Sequence, residues 1–220
     1  MNSDKIIQVY VAIKEAVRTK GYEKEIEWQS NVVFDNVTES YFLREVGWVV
    51  LSAGMREIVI RRKFAEISAA FCHWKSAGKI QRNSEACRAH ALSIFNHEQK
   101  IDAILVIAKR ISSRGFKNFK KRVEEEGVAF ISQLPFMGPA TSFHLAKNIG
   151  LDFAKPDRHL LRISAAAGFP DPGGMCKTIS ERVGDSVAVV DLVMWRFATL
   201  CPDYLEFFRP TKISSNKRSL

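Results

Sequence analysis

Apolar residues recur every three or four positions along nearly the whole chain, and no segment shows the strict alternation of a half-buried strand. Ile6, Val9, Tyr10, Ile13 and Val17 form one such stripe. Thr38, with Tyr41, Phe42, Val46, Val49 and Val50, opens a second and very apolar helix that should end near Gly54. A third is expected from Glu57 to Trp74, a fourth from an N-capping Ser84 to Phe95, and a fifth from Glu98 to Ile111. Charged residues 117–126 lead into the short apolar segment 128–131, and a late apolar helix spans 187–200. The pattern predicts an all-α fold, with residues 1–208 as one domain and 209–220 as a basic, disordered tail.

No stretch approaches the roughly 18–20 apolar residues of a membrane span. Charges interrupt the first apolar stripe, which argues against a secretory signal and for a cytoplasmic protein. Cys72, Cys87, Cys176 and Cys201 lack metal-ligand spacing and read as free thiols. Charge is unevenly distributed. Residues 1–40 hold 5 basic and 7 acidic side chains, whereas residues 41–160 hold 20 basic and 11 acidic. A basic middle of this kind suits a nucleic-acid partner.

Within that basic region, Leu134, Pro135, Phe136, Met137, Gly138, Pro139, Ala140 and Thr141 form a turn signal. Pro135 ends what precedes it, Gly138 is expected to allow the tight turn, and Pro139 suits the first position of a helix that Gly150 closes. Such a turn aims backbone N–H groups outward, where a phosphate oxygen can sit. It reads equally as an ordinary helical corner. Seventeen residues after Ala140 stands Asp157, followed by His159 and Arg162, with Ile163 as an apolar closer. After Pro156 and before a helix, Asp157 is also an expected N-cap.

Hairpin and aspartate together resemble the helix-hairpin-helix (HhH-GPD) DNA glycosylases over about residues 40–165. Their hairpin has the form Leu-Pro-Gly-x-Gly-x-x-Thr-Ala, and their aspartate lies in a segment like Val-Asp-Thr-His-x-x-Arg-Val. The resemblance implies a two-lobed helical fold, one lobe from residues 41–144 and the other from 1–40 plus 145–208, with hairpin and aspartate at the cleft between them. It implies that Asp157 is catalytic, and that Phe136, Met137, Gly138, Ala140, Thr141, His159 and Arg162 hold the DNA backbone. The helix from Tyr41 resembles the family's first core helix, whose terminal Gln fills the gap left by a flipped base. Gly54 stands at that Gln position, and Met55 is the neighbour able to take over. Asn96 and His97 lie in a loop like the family's second wedge. The base pocket would draw on Tyr41, Glu45, Trp48, Asp191 and Trp195.

Departures from the motif carry information too. Phe136 replaces the first hairpin glycine, so the turn is expected to be remodelled there. Ala140 occupies the position of the Schiff-base lysine, which removes the nucleophile of the strand-cleaving step. No four-cysteine iron–sulfur loop follows Asp157. The resemblance therefore implies a monofunctional, monomeric enzyme with no metal cluster and no cofactor beyond a monovalent cation at the hairpin. Its partner would be double-stranded DNA carrying a damaged or modified base, in base-excision repair or in defence against phage DNA with hypermodified bases. Two alternatives stand beside it: a non-catalytic DNA-binding module, and a glycosylase/lyase using a displaced lysine such as Lys147 or Lys155.

Overall fold

A computed structural model describes residues 3–209, and they are all-helical, with no strand among them. The basic tail expected from residue 209 lies, from 210 onward, outside the described residues. In chain order the helices are α1 (Ser3–Val17), α2 (Glu23–Asn31), α3 (Glu39–Ser52), α4 (Glu57–Ala70), α5 (Ala77–Arg82), α6 (Ser84–Ile94), α7 (Glu98–Arg114), α8 (Phe116–Glu126), α9 (Val128–Ile131), α10 (Pro139–Asn148), α11 (Arg158–Ala167), α12 (Pro172–Val183) and α13 (Val187–Leu200). No helix among the described residues is long and apolar enough to cross a membrane. They form two compact units, one from Met1–Ser30 with Pro156–Leu220 and the other from Asn31–Lys155. The second unit thus extends past residue 144, because the hairpin helix α10 packs on α3, and it begins at residue 31 instead of 41.

In the first unit α1 packs on α13 and α12, and α11 lies against both α12 and α13. Ile6, Tyr10, Ile13 and Val17 of α1 are buried, as are Val189, Val190, Val193 and Met194 of α13. The Tyr10 hydroxyl donates to Asp185 Oδ2 at 2.6 Å, and the Lys14 ammonium donates to the same carboxylate at 2.7 Å. One carboxylate thus satisfies two donors of α1 just before α13 begins.

The second unit is arranged around α7, whose Ile101, Ile104, Ile107, Ala108 and Ile111 are fully buried against α3, α5, α6 and α8. α3 begins where expected, with Thr38 Oγ1 accepting from the Tyr41 N–H at 3.2 Å. The expected third helix stops early, at Ala70. Cys72, His73 and Trp74 all take left-handed φ values, of 55°, 53° and 58°, which no α-helix can continue through. Tertiary contacts hold that unfavourable turn. The Trp74 ring stacks on Phe71 at 4.9 Å between centroids, and its indole N–H donates to Ser68 Oγ at 2.9 Å. The turn also brings the Cys72 and Cys87 sulfurs to 3.9 Å, although all four cysteines are free. Residues 116–126, whose many charges masked their period, form α8 with Phe119 and Val123 buried. Asn83, without a side-chain cap bond, precedes α6, and Ser84 is already helical.

Gly47 lets α3 lie directly on the Trp74 ring. A Cβ built there would fall 2.6 Å from Trp74 Cη2 and 2.9 Å from Cζ2. Gly47→Ala should therefore cost about 1–3 kcal/mol through overpacking, read as a lower urea midpoint at unchanged slope. A stability gain, as alanine gives in an open helix, would show that the indole moves aside freely.

Candidate nucleic-acid interface

The hairpin belongs to the second unit. After α9 the chain turns through a Met137 N–H to Leu134 carbonyl bond of 3.1 Å and re-enters a helix at Pro139. The left-handed residue of this turn is Phe136, at φ 63°, not Gly138, which has an ordinary φ of −70°. This corrects one expectation: Gly138 is not what permits the turn, since Phe136 itself takes the left-handed conformation, at a cost of about 1–2 kcal/mol. Thr141 helps to hold it, its hydroxyl lying 2.8 Å from the Phe136 carbonyl oxygen and 3.1 Å from that of Gly138. Gly138 stands at the N-cap with no side-chain cap bond, and nothing but Thr141 Oγ1, at 3.9 Å, approaches the space a Cβ would fill. The start of α10 is thus open on its outer side, with Gly138 exposed and Ala140 and Thr141 half-buried. The Met137 side chain is buried, so only its main chain is left for outward contacts.

At its other end α10 closes on Gly150, at φ 86°, whose N–H donates to the Lys147 carbonyl at 3.1 Å while Leu151 donates to Ala146 at 2.9 Å. This is the Schellman pairing that satisfies terminal carbonyls.

Several residues singled out in the sequence meet near the hairpin. The exposed ring of Phe136 sits edge-on to His97, with centroids 6.2 Å apart, and His97 stacks on Phe95 at 6.0 Å. Asn96 between them is exposed. Lys100, which sequence reasoning missed, joins this loop to the end of α3. Its buried ammonium donates to the carbonyls of Leu51 and Ala53, both at 2.6 Å, and lies 6.0 Å from the Phe95 centroid. Burial pushes that ammonium down to about 8, so it stays protonated at neutral pH. Gly54 follows in a left-handed turn, at φ 68°, and Met55 is 40% exposed beyond it. The signal was present: Lys100 is in register with Ile104, Ile107 and Ile111, and a charge inside an apolar stripe must be satisfied by buried acceptors.

Of the expected pocket residues, Tyr41 and Glu45 are brought together through Asn148 of α10. The Tyr41 hydroxyl donates to the Asn148 carbonyl at 3.0 Å, and the Asn148 side-chain amide donates to Glu45 Oε2 at 2.9 Å. Arg44 donates to the other Glu45 oxygen at 2.6 Å. Burial raises the Glu45 carboxyl above its ordinary value, while Arg44 and Asn148 pull it back. Trp48 instead packs edge-on against Phe64 at 5.2 Å, with the Arg61 guanidinium 5.7 Å from its ring centroid. Lys147 is buried and Lys155 half-buried.

Asp157 belongs to the first unit. It caps α11, Oδ1 accepting from the His159 N–H at 2.9 Å and the Leu160 N–H at 3.0 Å. The carboxylate is only partly buried and its rotamer is fixed. His159 Nδ1 lies 3.2 Å from the Tyr204 hydroxyl, which orients the imidazole. Leu160, Ile163 and Ser164 are buried, leaving Arg158 and Arg162 one turn apart on the exposed side. Asp191 is buried on α13. Trp195 is half-buried, with the Arg196 guanidinium 4.6 Å from its ring centroid and bonded to Glu25 at 2.7 Å. Among the described residues no group of three or more His, Cys, Asp and Glu side chains is arranged to hold a metal ion. Comparison of the chain with known protein families, curated proteins and solved structures finds no match.

Two outcomes follow from this geometry. Lys100→Met keeps the volume but strips the Leu51 and Ala53 carbonyls of their donor. It should cost about 1–3 kcal/mol and speed amide exchange at Gly54 and Met55; unchanged exchange would show that the loop is held by other contacts. His144, on α10, is held well below the ordinary histidine range by desolvation, with the charges of Lys155 and Lys147 adding to it. The folded state therefore keeps it neutral where the unfolded chain takes up a proton, so its contribution is present above pH about 6.5 and is lost as pH falls below that value. His144→Gln should lower the urea midpoint less on acidification than wild type does, and an equal fall in both would exclude His144 as the source.

Proposed function

We propose that the chain is a monofunctional DNA N-glycosylase of two-lobed, helix-hairpin-helix build. It flips a damaged or modified base out of duplex DNA, hydrolyses the N-glycosidic bond and leaves an abasic site. The observation that carries the reading is the hairpin turn. Phe136 takes a left-handed φ of 63°, a conformation glycine adopts most readily, at the place where the glycosylase motif has glycine, and this supports reading the turn as that hairpin. An exposed helix start with an uncapped first turn then offers N–H groups to a backbone phosphate. Such contacts position the duplex without reading its sequence.

Departure of the base builds positive charge on the sugar, and a fixed carboxylate stabilises that oxocarbenium-like state while orienting the attacking water. Asp157 suits the task because two backbone N–H groups already fix its rotamer. Met55, exposed beyond the turn that Lys100 holds, is the side chain offered to the gap left by the flipped base. Extruding that base costs on the order of a few kcal/mol of stacking. With Ala140 at the lysine position, no covalent sugar adduct forms. The biological setting is DNA repair, or defence where the base is a phage hypermodification. The capping bonds of Asp157 also favour a second reading, a module that binds DNA without chemistry.

Asp157→Asn separates the two, since asparagine caps a helix about as well as aspartate. On duplexes carrying a panel of altered bases, wild type should generate alkali-labile abasic sites, and the variant should do so about 10²–10³-fold more slowly with duplex affinity retained. Duplex binding with no base released by either protein would leave the binding module. A borohydride-trapped protein–DNA adduct would instead reveal a lyase.

A further inference from the structure

A basic cavity lies among α7, α8 and α9, away from the residues assigned above. Gly115 and Gly127, at φ 75° and 55°, fold these three helices back on one another with nothing within 4 Å of the space a Cβ would occupy. The glycines thus serve the backbone reversals and not close packing. The reversals bring Arg110 and Arg114 of α7, one turn apart, together with Arg122 of α8 around a cavity of about 240 Å³. Its floor is aromatic: Phe119 and Phe130 meet edge-on at 5.1 Å, and the Arg122 guanidinium lies 4.3 Å from the Phe130 ring centroid. Arg110 donates to the Gln133 carbonyl at 2.9 Å, and Arg122 donates to Glu126 at 2.8 Å. Three arginines thus line one cavity, and Glu126 is the carboxylate paired with one of them. Planar guanidinium groups, two of them oriented by an aromatic ring or a carbonyl, match the oxygens of a phosphate better than point charges do.

The surrounding sequence identifies the kind of anion. Residues 109–122 contain seven basic side chains and no acidic one, so the charge runs along the surface as a polyanion requires. Lys109, Lys117 and Lys121 are exposed on this stretch, Lys121 with Glu125 at 3.6 Å. Gln133, which holds Arg110, is five residues before Gly138, and five extended residues reach at most about 18 Å. That is about five base-pair steps of 3.4 Å, so one duplex is long enough to serve both points.

We propose that the Arg110–Arg114–Arg122 cavity binds a backbone phosphodiester of DNA flanking the segment held by the hairpin. The proposal rests on the reading of the chain as a DNA glycosylase and extends its footprint.

The test is fluorescence anisotropy of the full chain with a duplex several helical turns long, across a salt series. Arg110→Gln with Arg114→Gln should weaken binding about tenfold at low salt and reduce the slope of log K against log salt by about 2. Arg114→Gln alone, which breaks no hydrogen bond of its side chain, should reduce it by about 1. Lys109→Gln with Lys117→Gln removes the same charge outside the cavity and should have a smaller effect. Equal losses from both pairs, or an unchanged slope in the arginine pair, would overturn the site while leaving the glycosylase reading intact. Saturable binding of inorganic phosphate that needs Arg110 and Arg114, with duplex affinity indifferent to them, would make the cavity a free-anion site and overturn the phosphodiester assignment. Failure of wild type to retain any duplex would overturn the site and the glycosylase reading together, whereas duplex binding with the expected slopes but no abasic product would sink the chemistry alone.

Discussion

α3 ends inside the second unit, and the carbonyl groups of its last turn have no helical partner of their own. The Lys100 ammonium supplies one, donating to Leu51 and Ala53 from the first turn of α7. A neutral side chain there would leave buried acceptors unsatisfied, and a lysine without those acceptors would be a buried bare charge. Each group makes the other tolerable. Because Lys100 lies three residues after His97, the same bond pins the start of α7, and with it Phe95, His97 and, through ring contact, Phe136 of the hairpin. Three loops far apart in sequence therefore share one anchor. Such an anchor orders the loops in advance, which spares a binding partner the cost of ordering them.

The hairpin turn places a left-handed φ on a residue other than glycine. A left-handed φ is cheap for glycine and costs other residues about 1–2 kcal/mol, yet Phe136 adopts it. The flanking chain leaves little choice: Leu134 and Met137 are buried on either side, and Thr141 stands within hydrogen-bond reach of the Phe136 and Gly138 carbonyl oxygens. Phe136 is then free to hold its ring against His97, a contact no glycine could make. The turn at 72–74 follows the same logic on a larger scale. Trp74 is buried against Gly47, Phe71 and Phe64, and that packing holds three consecutive residues in a conformation local propensity opposes.

These cases mark where sequence reading works and where it stops. α3 was legible because its N-cap Thr38, its apolar stripe and its end near Gly54 are all local signals, and the closure of α10 at Gly150 was legible for the same reason. Asp157 was readable as an N-cap from its position after Pro156 and before a helical stripe. The premature end of α4 was not, because what stops the helix is an indole lodged against a glycine 27 positions earlier. α8 was obscured by its charges, although Phe116, Phe119 and Val123 keep the helical interval. The sulfur contact between Cys72 and Cys87 depends on the same nonlocal turn. At the interface, the residue types and their order could be read, whereas Lys100 as their common anchor emerges only when α3 and α7 are seen to cross.

In the proposed function, capping and catalysis by Asp157 are not alternatives, because physically they reinforce each other. A carboxylate that stabilises developing positive charge must already be in place, because swinging an ordinary side chain into position during the reaction costs both entropy and solvent reorganisation. Two N–H donors from the first turn of α11, both to Oδ1, remove that freedom in advance. The dipole of α11 sets its positive end beside this carboxylate. In the proposed function, ordinary helix-start chemistry thus supplies a partly accessible carboxylate already held in place for an oxocarbenium-like state.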